Sequence, residues 1–208
     1  MVEVIPAILV KNEEEFESRA RDVAGLVKRI QVDIMDGKFV PNKTLQANEL
    51  PVIPAGLEPE YHLMVQNPEE AIKEIGKRNA TYIFHYEAVE DAELLISIVK
   101  KMGAKVGIAL SPDTPAEKIK DLLRSIDMVL VMTVYPGFSG QKYIKEMEQK
   151  IRKLKWWNKD VRIEVDGGIN EQTALGAIRA GADSIAVASA IFSSPETRKA
   201  IEKLKAIS

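Results

Sequence analysis

Short runs of apolar and β-branched residues alternate with longer, charged amphipathic stretches from one end of the chain to the other. This is the pattern of repeated βα units, in which helices cover a parallel sheet. Eight such runs predict strands at residues 3–9, 29–34, 60–65, 80–85, 105–110, 128–134, 162–166 and 184–188. The intervening stretches predict helices at 13–23, 68–77, 92–102, 115–124, 143–155, 171–180 and 195–206; only the second connection, around 46–53, is too broken by prolines for a full helix. Asn67-Pro68-Glu69-Glu70 and Thr114-Pro115-Ala116-Glu117 each offer an N-cap, a proline at the first helical position and a glutamate at the third. Gly103 and Gly181 follow helical stretches where a left-handed cap residue is wanted.

Eight βα units predict an α/β fold, a closed (β/α)8 TIM barrel forming one domain over residues 1–208, short against the usual ~250 residues. The alternative is a doubly wound open sheet, but the first junction, Ile8-Leu9-Val10-Lys11-Asn12, has no glycine-rich dinucleotide turn. A chain of 208 residues that is 46% hydrophobic can bury one sizeable core. With 29 basic and 31 acidic residues, the net charge of −2 gives no reason to expect a nucleic-acid or membrane partner. The lack of cysteine excludes disulfides, thiolate nucleophiles and Cys-ligated zinc, and fits a reducing compartment. No basic leader or apolar run of ~18 residues stands out, so the cytoplasm is the expected location. Without an export signal, the sequons Asn42-Lys43-Thr44 and Asn79-Ala80-Thr81 read as chance.

In a barrel of this kind chemistry collects at the C-terminal ends of the strands. On the second strand Gln31, Asp33 and Met35 share a face, leaving Val32 and Ile34 to pack outward. His62 and Met64 share a face on the third, and Glu164 and Asp166 on the seventh, where Asp166 leads into Gly167-Gly168. After the sixth strand comes Pro136-Gly137-Phe138-Ser139-Gly140-Gln141, whose small residues let backbone N–H groups approach an anion. Singly, Asp36-Gly37 is a turn, Met35, Met64 and Met132 are core fillers, and a lone histidine is a buried polar residue. Their convergence on one rim predicts a functional mouth.

These residues carry a resemblance to the ribulose-phosphate 3-epimerase family. Pro6-Ala7-Ile8-Leu9 is similar to its PSIL, 32–42 to DxMDGxFVPN, His62-Leu63-Met64-Val65 to HLMV, 131–141 to VMxVxPGFxGQ, 164–169 to EVDGGI, and Ala188-Ser189-Ala190-Ile191-Phe192 to GSAIF. The resemblance implies interconversion of D-ribulose 5-phosphate and D-xylulose 5-phosphate through a metal-stabilised enediolate, with Asp33 and Asp166 as the two proton-transfer acids. It implies a divalent ion (Zn, Fe, Mn or Co) held by Asp33, His62 and Asp166, with Gln31 where the family has its first histidine. It implies substrate contacts from His62, Gly137, Phe138, Ser139, Gly140, Gly167, Gly168, Ala188 and Ser189, and a homo-oligomer.

Three departures fall inside the site: Gln31 for histidine, Ala7 for serine and Ala188 for glycine. A neutral amide oxygen is a poorer ligand than imidazole for zinc-like ions, so metal affinity is expected to fall. His85, in Phe84-His85-Tyr86-Glu87-Ala88, matches a non-ligand histidine of the family and is expected to be a supporting polar group. Two readings remain: an epimerase holding a harder metal, or a phosphosugar-binding barrel with impaired metal binding that is non-catalytic or acts on another ketose phosphate.

Overall fold

A computed structural model describes residues 2–77 and 79–207. Eight parallel strands pair in chain order and close on themselves: β1 (Glu3–Ile8), β2 (Arg29–Met35), β3 (Glu58–Met64), β4 (Thr81–His85), β5 (Lys105–Leu110), β6 (Met128–Met132), β7 (Arg162–Asp166) and β8 (Ser184–Val187). Around them lie α1 (Glu13–Val23), α2 (Pro68–Ile75), α3 (Ala92–Lys101), α4 (Met147–Trp157), α5 (Glu171–Ala180), a short α6 (Ser189–Phe192) and α7 (Thr197–Lys205). The (β/α)8 barrel is as expected, and the open sheet is excluded by the β1–β8 pairing. Among the described residues, no helix is long and apolar enough to cross a membrane.

The places where the elements differ from the sequence pattern have local causes. β3 begins at Glu58, ahead of the expected start, because Glu58 N–H donates to Lys28 O and Pro59 is accepted opposite Ile30. β6 stops at Met132 because Thr133 N–H turns to Asp166 O, and Ile144 N–H then holds the following segment to Thr133 O, delaying α4 to Met147. The stretch expected as a helix at 115–124 is instead a 3-10 helix, Ala116–Arg124. Its ends close three residues back, Lys118 N–H on Pro115 O at 3.1 Å and Ser125 N–H on Leu122 O at 2.8 Å, while Ala116, Ile119, Leu122 and Leu123 are buried. Thr114 is correspondingly not its N-cap: Pro115 is, and the Thr114 hydroxyl donates to Glu87. Asn67 does cap α2, accepting from Glu70 N–H at 3.3 Å. The expected 195–206 helix is α7, preceded by the unanticipated α6.

Alternate strand residues fill the barrel interior, while the others, such as Ile30, Val32, Ile34, Tyr61 and Leu63, pack against the helices. The barrel floor, at the N-terminal strand ends, is charged. Arg162 bonds Glu60, Arg29 lies 3.5 Å from Glu60 and 3.0 Å from Glu3, and Ser184 donates to Glu164 at 2.7 Å. Burial pushes both the Glu60 and Glu164 carboxyls above the ordinary range, helped at Glu60 by the charge of Glu164 and at Glu164 by that of Asp166. Each has one buried oxygen without a donor, so a proton held between them satisfies both. Glu164 therefore belongs to the floor, one pleat below Asp166, as its place in the strand predicts.

Candidate active site

At the opposite end the interior-facing residues converge on a mouth. The end of β2 is fixed by Thr44, whose hydroxyl donates to Asp33 O at 2.7 Å and accepts from Met35 N–H at 2.9 Å. Between these bonds Asp33, 6% exposed, points inward beside fully buried Gln31 and His62, its partner across the β2–β3 ladder. Asp166 ends β7 from the far side of the barrel. The Gln31 amide nitrogen joins them, donating to Asp33 Oδ1 at 2.8 Å and to Asp166 Oδ2 at 2.7 Å. His62 Nδ1 stands 3.0 Å from Asp33 Oδ1 and 3.5 Å from Asp166 Oδ2. Asp33, His62 and Asp166 form a group able to hold a metal ion, their ligand atoms all within 4.8 Å of one another.

Electrostatics follow from burial. Removal from water, then the Asp166 charge, raise Asp33 above the usual carboxylate value, while bonds from His62 and Gln31 resist that rise. For His62 burial opposes the charged form, yet hydrogen bonds to Asp166 and Asp33 outweigh it and raise the imidazole to about 9. Asp36 is a loop former: its carboxylate accepts from Lys38, Phe39 and Gln66 N–H groups, which hold it below its ordinary value despite partial burial. The Asp36-Gly37 turn is thus as expected.

One pocket opens onto both carboxylates. Gly137, Phe138, Ser139, Gly140, Gly167, Gly168, Ala188 and Ser189 line it, with Met35, Met64 and Met132 in its wall. His62 is not among the lining residues; it is wholly buried behind the carboxylates. Ala7 is buried next to Gln31 in the β1–β2 register and also does not reach the pocket surface. No lysine or arginine lines the pocket among the described residues. The loop after β6 is tied across the mouth by Asn42 Nδ2, which donates to Gly137 O at 2.8 Å, and is shaped by Gln141 Nε2 bonding Tyr135 O and Phe138 O. The Thr133 hydroxyl reaches the Gly167 carbonyl at 2.6 Å and the Asp166 carbonyl at 3.0 Å, locking the β7 loop. Thr133→Val keeps the shape and removes that donor; it is expected to lower stability by about 1–2 kcal/mol in urea unfolding. An unchanged urea midpoint would show that the bond contributes nothing.

Comparison with known proteins now decides the family. The sequence profile of the ribulose-phosphate 3 epimerase family matches residues 3–192. This chain belongs to the ribulose-phosphate 3-epimerase family. It is similar to the ribulose-phosphate 3-epimerase of Bacillus subtilis, 35% identical with 99% of each chain covered. It is also similar to that of Methanocaldococcus jannaschii, 42% identical over 91% of this chain and 82% of the relative. Among solved structures, the 3-hexulose-6-phosphate synthase of Salmonella typhimurium shares the fold, with a TM-score of 0.73, 19% identity, and 99% and 98% of the two chains covered.

Within this epimerase-family barrel, several supporting residues escaped the sequence. Glu87 accepts from Ser111 N–H and Thr114 and lies 3.2 Å from His85 Nδ1, and His85 Nε2 lies 2.9 Å from His62 Nε2. The one available signal was Glu87 standing two residues after His85. Thr44 and Asn42 carried none, since their partners are brought near only by barrel closure. Leu9, at the β1 end, also lines the pocket and was not anticipated.

Proposed function

We propose that this chain interconverts D-ribulose 5-phosphate and D-xylulose 5-phosphate by moving the proton on C3. Inverting a carbon beside a ketone requires one group to take the proton from one face and another to return one to the opposite face. Asp33 and Asp166 fill these roles. The observation that supports this most is their convergence from β2 and β7 onto one atom, Gln31 Nε2, at the base of a pocket walled by two glycine loops. Burial makes Asp33 a stronger base than an exposed aspartate. The substrate phosphate sits on backbone N–H groups of residues 137–140, of Gly167 and Gly168, and near Ser189. Met35, Met64 and Met132 give the sugar end a polarizable, water-poor wall.

A divalent metal, which the family implies, fits the residues present. The buried Gln31 Oε1 has no donor, while Nε2 occupies the point where Asp33, His62 and Asp166 converge. Rotating the amide end for end would place Oε1 there, completing a set of three oxygens and one nitrogen: Gln31, Asp33, Asp166 and His62. When bound, such an ion would supply electrostatic stabilisation of the negative charge that develops on the enediolate oxygens. An oxygen-rich set favours manganese or ferrous iron over zinc. Gln31→His should accordingly raise zinc affinity by about 10–100-fold, the range over which metal centres respond to changes in their supporting groups. Titration calorimetry measures this, and equal zinc affinity in the two proteins would remove Gln31 from the centre.

The function itself is tested by following exchange of the C3 proton of ribulose 5-phosphate in deuterated water, with metal analysis of the same preparation. Exchange accompanied by xylulose 5-phosphate is the expected result. Tight binding of the sugar phosphate with no exchange would overturn it in favour of a phosphosugar-binding barrel.

A further inference from the structure

Behind the carboxylates a chain of hydrogen-bonding groups runs from Glu87 at the surface to the buried His85 and His62, and the proton-transfer reading leaves it unused. Ser111 N–H and the Thr114 hydroxyl both bond Glu87 Oε1, the former at 2.9 Å. Oε2 of the same carboxylate faces His85 Nδ1 at 3.2 Å. His85 Nε2 faces His62 Nε2 at 2.9 Å, and His62 Nδ1 faces Asp33 Oδ1 at 3.0 Å. Both imidazoles are wholly buried, with ring centroids 5.1 Å apart and planes 25° from parallel, and Phe39 lies against His85 at 4.9 Å. The direction of each hydrogen bond along this chain is set by its neighbours.

We propose that Glu87 and His85 are positioning residues that keep a proton on His62 Nε2, so that Nδ1 is the nitrogen that can be freed to face the metal centre. A carboxylate only accepts, so His85 carries its proton on Nδ1 and presents Nε2 as a lone pair. Two lone pairs cannot face each other across 2.9 Å, so His62 donates from Nε2. Its Nδ1, which in the metal-free protein donates to Asp33 Oδ1 at 3.0 Å, is thereby the nitrogen that a metal ion can take over in place of that proton. The anchoring of Glu87 matters as much as its charge. Ser111 lies at the end of β5, and Lys150 of α4 donates to Ser111 O at 2.8 Å, so this orientation is fixed by three separate βα units.

The relation to metal binding rests on the reading of His62 as a ligand; the proton positions do not. Glu87→Gln is the sharp reversal. Ser111 and Thr114 require an oxygen at the Oε1 position, so the new amide turns its NH2 toward His85. His85 Nδ1 must then accept and Nε2 donate, so His62 Nε2 becomes the acceptor and its remaining proton is held on Nδ1, against the metal centre.

The chain has only two histidines, so 15N-histidine labelling of the full-length protein gives two resolvable rings in long-range 1H–15N correlation spectra. The metal-free wild type is expected to show His85 protonated on Nδ1 and not on Nε2. Glu87→Gln is expected to reverse this and weaken zinc binding by about 10–100-fold. Thr114→Val, which touches only the far oxygen, should leave the His85 pattern as in the wild type. His85 protonated on Nε2 in the wild type would overturn the inference, whether or not Glu87→Gln folds. So would a Glu87→Gln protein that inverts the tautomer yet binds zinc as the wild type does, or one that keeps the wild-type tautomer. Loss of the epimerase reading would appear separately, as absent C3 exchange with the wild-type tautomer intact.

Discussion

Asp166→Asn is expected to lower the epimerisation rate by about 10²–10⁴-fold, the contribution of one positioned acid–base group. Asp33→Asn should lower it by a similar factor. The two variants are distinguished by what survives. If each acid serves one face of C3, an enzyme lacking one acid still removes and returns the proton on the other face. In deuterated water one variant should wash label into ribulose 5-phosphate without epimerising it, and the other should do so only with xylulose 5-phosphate. NMR of the recovered sugars reads both quantities. Either variant epimerising at more than about a tenth of the wild-type rate would contradict the two-acid assignment, since a lost proton-transfer group costs at least about 10²-fold. The prediction draws on geometry as well as residue type, because both carboxylates bond the same amide nitrogen from different sides of the barrel.

Gly168→Ala is expected to lower stability by more than about 3 kcal/mol, in the range reserved for overpacking and strained backbone. Gly168 has φ +66°, and a Cβ there would lie 2.5 Å from Tyr143 N, 2.8 Å from Tyr143 Cα and 2.9 Å from Gln141 O. All three are backbone atoms, so no side chain can swing aside. Relief would require moving the 141–143 segment, which is anchored by Ile144 N–H to Thr133 O and so to the end of β6. Gly168 O also accepts from the Thr173 hydroxyl at the start of α5, coupling the strain to a second element. Gly25→Ala is the control: its φ is +76°, yet nothing lies within 4 Å of the added carbon. It should cost only the ~1–2 kcal/mol of a left-handed residue. Urea midpoints compare the two directly, and equal losses would show that crowding at the β7 loop is not the cause.

The barrel was legible because each strand advertises itself twice, through β-branched runs and through its distance from the next. Proline 59 hid the true start of β3, since a residue lacking N–H ordinarily argues against a strand, and only the neighbouring register shows it is tolerated. The 3-10 segment was not readable from its apolar spacing. Ala116, Ile119, Leu122 and Leu123 would lie on one face of an α-helix as well, and a proline opens either kind of helix. In the site, Asp33, His62 and Asp166 stood out because polar residues occupied the interior face of otherwise apolar strands. The orientation of Gln31 did not, because which end of an amide faces two carboxylates depends on partners 2 and 135 residues away. The contacts made by Thr44 and Asn42 were silent for the same reason: each acts on an atom that only the folded barrel brings within reach.

The pocket wall, without lysine or arginine among the described residues, has an evolutionary corollary. If the anionic end of the substrate is grasped by peptide groups, the grip is encoded in the path of the chain and not in any replaceable side chain. Residues on β2, β3 and β4, Gln31 among them, are then at liberty to change while the handle by which the molecule is seized persists. A scaffold so divided can trial new chemistry on the sugar without first relearning how to hold it.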